Sequence, residues 1–133
     1  LVDRLNLRSN VTFYGHVATP EEWYQRIDIL ISNGYSEGLQ VSPLEAMASG
    51  CHCLSHHWDG ADELLPPTHL YYTNNELKAL LLQYAKSPEH VKQEHRIQMR
   101  TRVSERFDVD RTKVEIRRVV EAAASSAVTQ AAQ

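Results

Sequence analysis

The sequence predicts an α/β fold, a Rossmann-like parallel sheet with flanking helices. Three apolar stretches, near residues 11–15, 27–32 and 52–56, have the length and composition of strands. Each stretch is followed by a glycine-containing or polar loop and then by a helix-forming pattern. Strands that alternate with helices build βαβ units, which have parallel strands and right-handed crossovers. A chain of 133 residues, 42% of them hydrophobic, suits one domain with one core.

The first elements in the chain are less regular than those that follow. Residues 1–10 have the leucine pattern of the end of a helix, and residues 11–15 alternate β-branched and aromatic side chains before Gly15. Thr19 can cap a helix in which Pro20 takes the first position. That helix is expected to reach about residue 25, before the strand at 27–32.

The central helix is expected to begin near Ser42 and to end at Gly50. Ser42 and Glu45 have the spacing of a capping box, which would place Glu45 at the third helical position. A strand at 52–56, a short helix at 60–65 and a strand at 69–72 should follow.

Helical patterns dominate the second half of the chain. Asn74 or Asn75 is expected to cap a helix that reaches about residue 86, and a charged helix should cover residues 89–106. Asp108 or Asp110 opens the last helix. We expect the C-terminal helix to span residues 106–128 and residues 129–133 to form a frayed tail. The whole of 1–133 is thus predicted to be a single domain.

The loops that follow the first three strands should meet at one edge of the sheet. Ligands of parallel α/β sheets bind at the carboxyl ends of the strands. Residues 15–16, 34–38 and 56–60 are all placed there by this topology. The edge is therefore the predicted binding site.

The stretch SEGLQVSPLEAMASG, residues 36–50, has the chemistry of a nucleotide-sugar site. Free N–H groups at a helix start suit a phosphate. The carboxylates of Glu37 and Glu45 can each accept hydrogen bonds from neighbouring sugar hydroxyls. Two other interpretations stay open: Glu45 could cap its own helix, and Glu37 could be a solvated loop acid.

This stretch resembles the E-x7-E region of retaining glycosyltransferases with the GT-B architecture, in particular the large family 4 of glycosyl transferases group 1. Further similar segments occur in the family's order: VTFYGHV and RIDILIS before the motif, WDGADELL and RFDVDRTKVEI after it. The resemblance implies that the chain is the distal part of the carboxyl-terminal, donor-binding lobe.

The resemblance also implies individual roles. Glu37 would be the catalytic residue and contact the donor sugar, and Glu45 would contact the ribose. The backbone N–H groups of Gly38, Leu39 and Gln40 would hold the diphosphate, and His16 would lie close to the donor. Gln40 stands where the family often has a small or apolar residue, so it is a candidate for tuning the choice of sugar.

The implied function is transfer of a sugar, in the manner of a hexosyltransferase, from a nucleoside-diphosphate sugar to an acceptor hydroxyl with retention. The acceptor would be a glycan, a lipid or a small molecule. The family's amino-terminal acceptor lobe and its phosphate-binding Arg and Lys are not matched in this sequence, so the chain alone is expected to be inactive. The alternatives are a non-catalytic nucleotide-sugar-binding module and a Rossmann oxidoreductase domain, for which the glycine fingerprint is absent.

Composition excludes several other classes of function. With 14 Lys and Arg against 17 Asp and Glu, the net charge of −3 gives no basis for nucleic-acid binding. No cofactor and no metal is expected, although Cys51, Cys53 and the nearby His52, His56 and His57 invite a metal interpretation. The two cysteines are expected to be buried free thiols in a cytoplasmic protein. The longer protein could also associate with the inner face of a membrane.

Overall fold

The computed structural model describes the backbone of residues 1–131 and the side chains of residues 1–125. Short 3-10 turns at Arg8–Asn10 and Pro67–His69 accompany the main elements. The helices and strands in chain order are α1 (Pro20–Tyr24), β1 (Ile29–Ser32), α2 (Val41–Ser49), β2 (His52–His56), α3 (Ala61–Leu64), β3 (Leu70–Tyr71), α4 (Asn74–Lys86), α5 (Glu89–Arg106) and α6 (Val109–Ala131).

The three strands form a parallel sheet in the order β1-β2-β3. Ile29 pairs with His52 and Ser32 with Ser55, while Ser55 pairs with Leu70 on the other side of β2. The parallel α/β fold predicted from the alternating pattern is confirmed. The carboxyl ends of β1 and β2 lie side by side, so the loops that follow them start from the same edge.

The predicted strand at residues 11–15 is wrong: this segment is extended coil. Phe13 is 82% exposed and Tyr14 is 64% exposed, and the sheet pairs only β1, β2 and β3. A strand needs a neighbouring strand to satisfy its backbone groups, and β propensity alone does not supply one. Gly15 ends the segment with a φ of 65°, so the predicted turn does form.

The amino-terminal residues do not form the end of a helix. They make a series of turns that leads into the 3-10 turn at Arg8–Asn10. Asn6 has a φ of 57°, a left-handed conformation that interrupts a right-handed helix. The leucine spacing in residues 1–10 was therefore a misleading indication, and Leu1 and Leu5 are exposed.

The core lies between β2 and the helices α2, α3 and α5. Ala46 and Met47 of α2 are fully buried, as is Leu64 of α3, and Met99 brings α5 into the same cluster. Each fully buried apolar side chain of this size contributes about 1.5–3 kcal/mol. The remaining members of the cluster are Tyr24, Cys51, Cys53, Trp58, Ala61, Leu65 and Leu70.

The two cysteines are buried free thiols, as the sequence predicted. The Cys51 thiol lies 3.0 Å from the carbonyl oxygen of Tyr24, and the Cys53 thiol lies 3.7 Å from that of Pro43. Burial raises the pKa of the Cys51 thiol to about 11 and also raises the pKa of the Cys53 thiol. Both groups therefore stay protonated at neutral pH and act as small apolar residues that donate weak hydrogen bonds.

The helix α4 begins with a capping box made by a residue next to those predicted. Thr73 accepts a hydrogen bond from the N–H of Glu76, and the Glu76 carboxylate accepts one from the N–H of Thr73. Asn74 and Asn75, the predicted caps, are the first two helical residues instead. The same carboxylate also accepts from the N–H of Tyr72 at 2.7 Å, so the side chain ties β3 to the start of α4.

The last helix begins at Val109 and continues to Ala131, so it starts later and extends further than the predicted 106–128. Residues 129–131, predicted to be part of a frayed tail, belong to this helix, and residues 132–133 lie outside the described part of the chain. Asp108 caps the helix by accepting from the N–H groups of Asp110 and Arg111. Among residues 1–131, no helix combines the length and the apolar character that crossing a bilayer requires.

One arginine closes the carboxyl end of α3. Arg102 on α5 donates to the carbonyl oxygen of Leu64 at 2.6 Å and to those of Asp62 and Glu63 at 3.2 Å. These carbonyls have no partner within their own helix, because α3 has only four residues. The guanidinium thus holds α3 against α5.

We expect Arg102→Met to lower the free energy of unfolding by about 2 kcal/mol, because that is the usual contribution of hydrogen bonds that involve a charged group. Urea unfolding followed by tryptophan fluorescence measures this, since Trp58 lies in the core beside α3. Arg117→Met, an exposed arginine on α6, is the matched control. Equal unfolding midpoints for the two variants would contradict the assigned role.

Candidate functional site

The loops after β1 and β2 meet at the carboxyl edge of the sheet. The Tyr35 ring lies 4.3 Å from the His56 ring, measured between centroids. The Tyr71 hydroxyl, from β3, lies 3.1 Å from the carbonyl oxygen of Ser32 and 3.0 Å from the side-chain oxygen of Asn33. All three strands therefore hold the start of the loop 33–40.

Gln40 is the buried centre of this edge. Its side-chain carbonyl accepts a hydrogen bond from the Ser32 hydroxyl at 3.0 Å and lies 3.5 Å from the Ser55 hydroxyl. The residue is only 7% exposed. The side chain therefore joins the ends of β1 and β2 and fixes the last residue before α2, a role that the sequence did not suggest.

The Glu37 carboxylate lies over Gly34. A Cβ at residue 34 would overlap the carboxylate oxygen Oε1 of Glu37 and would stand 3.0 Å from Nε2 of Gln40. Residue 34 must therefore have no side chain if Glu37 is to fold back across the loop. The sequence places residue 34 only in the loop 34–38, because its contact with Glu37 depends on how the loop folds.

The helix α2 begins one residue earlier than predicted. Val41 is its first residue, and Gln40 caps it without a side-chain hydrogen bond. The predicted capping box of Ser42 and Glu45 is wrong, because Glu45 stands at the fifth helical position, one turn beyond the free N–H groups. The first-turn N–H groups are therefore left without a side-chain acceptor, which suits an anionic ligand.

Glu45 is linked to the aromatic residues of α1. Its Oε2 accepts a hydrogen bond from the Tyr24 hydroxyl at 3.4 Å. Burial, and then the nearby carboxylate, raise the pKa of Tyr24 above its usual value. The Trp23 ring packs edge-on against both Tyr24 and Tyr14, at 5.3 and 5.9 Å. Tyr14 thereby joins the segment before Gly15 to the acidic side chain on α2.

The remaining predicted site residues are exposed to different extents and are not held by other side chains. Leu39 is 59% exposed, and no atom of the described chain lies within 4 Å of a Cβ built on Gly38. His16 is exposed and makes no hydrogen bond, ion pair or ring contact with the other described residues. The structure thus gathers Glu37, Gln40 and the start of α2, whereas it shows no contact that joins His16 to them.

The histidines and cysteines near β2 do not assemble a metal centre. Among the described residues, no three His, Cys, Asp or Glu side chains are placed to hold a metal ion. Cys51 and Cys53 face the core, while His52, between them, points to the opposite face of the strand and meets Tyr84. Alternation along one strand therefore separates the residues that looked like a cluster in the sequence.

Gly34→Ala is expected to displace the Glu37 carboxylate without unfolding the protein. The backbone at residue 34 is not left-handed, so alanine adds no backbone strain, and the overlapping atoms belong to flexible side chains. If the edge binds a nucleotide sugar, as the sequence predicts, the affinity for that ligand should fall by about tenfold, the value of a weakened charge-assisted hydrogen bond. Gly38→Ala, where a Cβ meets open space, is the control, and calorimetry with a nucleotide sugar is the measurement.

Two comparisons with known proteins bear on the fold and the family of this chain. The chain is similar in structure to sucrose-phosphate synthase from Thermosynechococcus elongatus, with a TM-score of 0.81 and 18% sequence identity. The match covers 94% of this chain and 33% of that one, so the chain spans about a third of the length of the solved structure. At this identity the likeness establishes the fold, the Rossmann-like lobe of a GT-B architecture.

The family model "Glycosyl transferases group 1" matches residues 1–92. The matched region contains the loop 33–40, the helix α2 and both glutamates, and it ends within the first turn of α5. More than half of the chain is included. The chain therefore belongs to the glycosyl transferases group 1 family.

Proposed function

We propose that this chain supplies the donor-binding site of a retaining family 4 glycosyltransferase, which transfers a sugar from a nucleoside-diphosphate sugar to an acceptor hydroxyl. The observation that carries the proposal is the open start of α2, with Glu37 before it and Glu45 one turn inside it. Family membership supports sugar transfer in general. The roles of individual residues follow from the resemblance of residues 36–50 to the family's E-x7-E region, and the chemistry of the edge supports them.

The diphosphate is assigned to the backbone at residues 38–40 and to the first turn of α2. The N–H groups there have no side-chain acceptor, and the helix dipole adds partial positive charge. Open space above Gly38 lets a phosphate approach the backbone closely. Negative charge grows on the departing diphosphate during transfer, so these groups lower the barrier to reaction.

The two glutamates are assigned to the two sugars of the donor. The resemblance assigns Glu37, which lies in the loop, to the transferred sugar and gives it the catalytic role. The resemblance assigns Glu45, which lies on the helix beside Tyr24, to the ribose, whose neighbouring hydroxyls can donate to one carboxylate. Tyr35, 72% exposed at the same edge, offers a ring to the nucleobase, and His16 is placed near the donor by the resemblance alone.

The acceptor and the other phosphate-binding groups are assigned to a second lobe and to parts of the enzyme beyond these residues. The site edge is an open surface, with Leu39 and Val41 more than half exposed. A transferase must orient its acceptor and exclude water. No metal or cofactor is part of the proposed mechanism, in which the amides and the helix start stabilise the leaving group.

The decisive experiment measures both binding and transfer in the protein that carries this sequence. Radiolabelled nucleotide sugars are incubated with glycan, lipid and small-molecule acceptors, and product is compared between wild type and the Glu37→Ala, Glu45→Ala double variant. Glu63→Gln, an exposed acid on α3, is the control. Donor binding without transfer or hydrolysis would identify a non-catalytic module, and binding of a nicotinamide cofactor instead would identify an oxidoreductase domain.

A further inference from the structure

A second cavity lies at the amino ends of the strands, on the edge opposite the proposed donor site. It has a volume of about 240 Å³, which is the volume that about eight water molecules occupy in the liquid at ~30 Å³ each. Its walls come from β2, the turn before β3, α4 and α5. The lining residues are His52, Thr68, His69, Leu80, Gln83, Tyr84, Ser87 and His95.

Three histidines in this wall have buried nitrogen atoms with no partner in the described chain. They are Nδ1 of His52, Nε2 of His69 and Nδ1 of His95. His52 is 5% exposed and His69 is 7% exposed. The His69 ring is fixed by a contact between its Nδ1 and the Thr68 hydroxyl at 3.1 Å. Buried polar atoms are rarely left unpaired in native proteins, so these nitrogens are available to a hydrogen-bonding ligand in the cavity.

The rings are close but do not converge as metal ligands do. The His52 ring is stacked on the Tyr84 ring at 4.1 Å and lies at 21° to the His95 ring at 5.3 Å. The His69 ring lies 4.7 Å from the His52 ring. No lining residue is a carboxylate, and no described group of three is placed to hold a metal ion. A cation therefore has little to bind here.

The charged groups around the cavity have a small positive excess. Arg102 donates only to carbonyl oxygens, so no carboxylate balances its charge, and Lys92 lies 5.6 Å from the centre of the Tyr84 ring. Arg96 is partly balanced by Glu89 at 2.8 Å and Asp28 at 3.4 Å. Titratable and charged groups act on the cavity from every element around it. These elements are β2, the turn before β3, α4, α5 and the segment before β1. The groups are His52, His69, Tyr84, His95, Lys92, Arg96, Arg102, Glu89 and Asp28.

We propose that this cavity binds a small tetrahedral oxyanion, of the size of sulfate or phosphate, together with at least one proton. Hydroxyl, amide and imidazole groups line it, and all of them can donate hydrogen bonds to an anion. The anion supplies the negative charge that lets a buried imidazole become a cation and a second donor. Binding is therefore coupled to proton uptake by His52 or His69.

The empty cavity keeps its histidines neutral. Burial, with smaller contributions from neighbouring imidazoles, lowers the pKa of His52 to about 3 and that of His69 to about 4, and Arg102 also contributes at His69. An anion in contact with these rings raises both pKa values, because its negative charge favours the imidazolium form. At neutral pH both imidazoles of the free protein are therefore neutral, with one N–H each, whereas the complex holds an additional proton on at least one of them.

The test is calorimetry of sodium sulfate with the purified protein between pH 8 and pH 6, where sulfate itself does not change its protonation. We expect one saturable site whose affinity for sulfate rises as the pH is lowered. For each proton taken up, the rise should be up to roughly tenfold per pH unit. Two buffers with different heats of ionisation should give different apparent enthalpies. Phenyl phosphate, compared with inorganic phosphate, distinguishes a free oxyanion from an esterified phosphate group.

His52→Phe keeps the stacked ring and removes the titrating group, so we expect it to weaken sulfate binding by at least tenfold. His69→Phe should do the same, and His90→Gln, an exposed histidine on α5, should change nothing. A second measurement needs no variant. The NMR chemical shifts of the His52 and His69 imidazole nitrogens should change when sulfate is added to the wild type. Absence of saturable binding, or equal binding by wild type and both phenylalanine variants, would overturn the proposal.

Discussion

The free energy of unfolding should fall by about 4 kcal/mol between pH 7.5 and pH 5 in buffers without sulfate or phosphate. Two buried histidines cause the loss. The pKa of His52 is lowered to about 3 and that of His69 to about 4, chiefly by burial. In the unfolded chain both groups regain an ordinary pKa near 6.5, so only the unfolded state takes up protons in this interval.

The sign and the size follow from proton linkage. A state that binds more protons is favoured as pH falls, so stability is complete above about pH 6.5 and declines below it. At pH 5 each histidine is about 1.5 pH units below its unfolded pKa, which at 1.36 kcal/mol per unit amounts to about 2 kcal/mol. The decline should end near pH 3–4, where the folded protein also takes up the protons.

Urea unfolding at several pH values measures this dependence. His52→Phe should remove about half of the pH dependence and raise stability at pH 5, whereas His90→Gln should follow the wild type. The carboxylates of Glu76 and Asp108, whose pKa values are lowered by backbone hydrogen bonds, act in the same direction only at lower pH. A free energy of unfolding that is constant from pH 7.5 to pH 5 would contradict the assignment.

Local sequence patterns predicted the elements that are decided locally. The parallel strands at 27–32 and 52–56 follow from apolar runs, and α5 has the predicted bounds because proline and charge patterns define them. The segment at 11–15 has the same β-forming composition, yet it lacks a neighbouring strand. Pairing is a property of the whole sheet, so composition could not decide it.

The candidate site likewise has features that the local sequence predicted and features that depend on the tertiary fold. The sequence indicated the loop, both glutamates and the open helix start, because glycine, acid and helix patterns are local. It could not indicate that Gln40 is buried between Ser32 and Ser55, nor that Gly34 must accommodate Glu37. The same holds for the histidines: His52, His69 and His95 are far apart in the chain and adjacent only in the fold.

Glu37→Gln should lower turnover by tenfold to 100-fold while it leaves the affinity for the free nucleoside diphosphate nearly unchanged. The substitution preserves size and removes the charge, and a charge-assisted hydrogen bond contributes roughly 1.5–3 kcal/mol. The free nucleotide has no transferred sugar, so it does not report a contact with that sugar. The proposed contact is therefore visible only in turnover and in the choice among nucleotide sugars.

Glu45→Gln should have the complementary effect, a weaker affinity for the nucleoside diphosphate by a similar factor. Its carboxylate is assigned to the ribose, which the free nucleotide retains. Tyr24→Phe provides a control, since it removes the 3.4 Å contact to the carboxylate and keeps the charge, so its effect should be smaller. Calorimetry with the free nucleotide and transfer assays with the intact sugar donor are performed on all three variants.

If Glu37→Gln weakens nucleotide binding more than Glu45→Gln does, the ribose and the sugar have been assigned to the wrong carboxylates. Loss of both properties in both variants would instead indicate that the two acids act on one group of the donor.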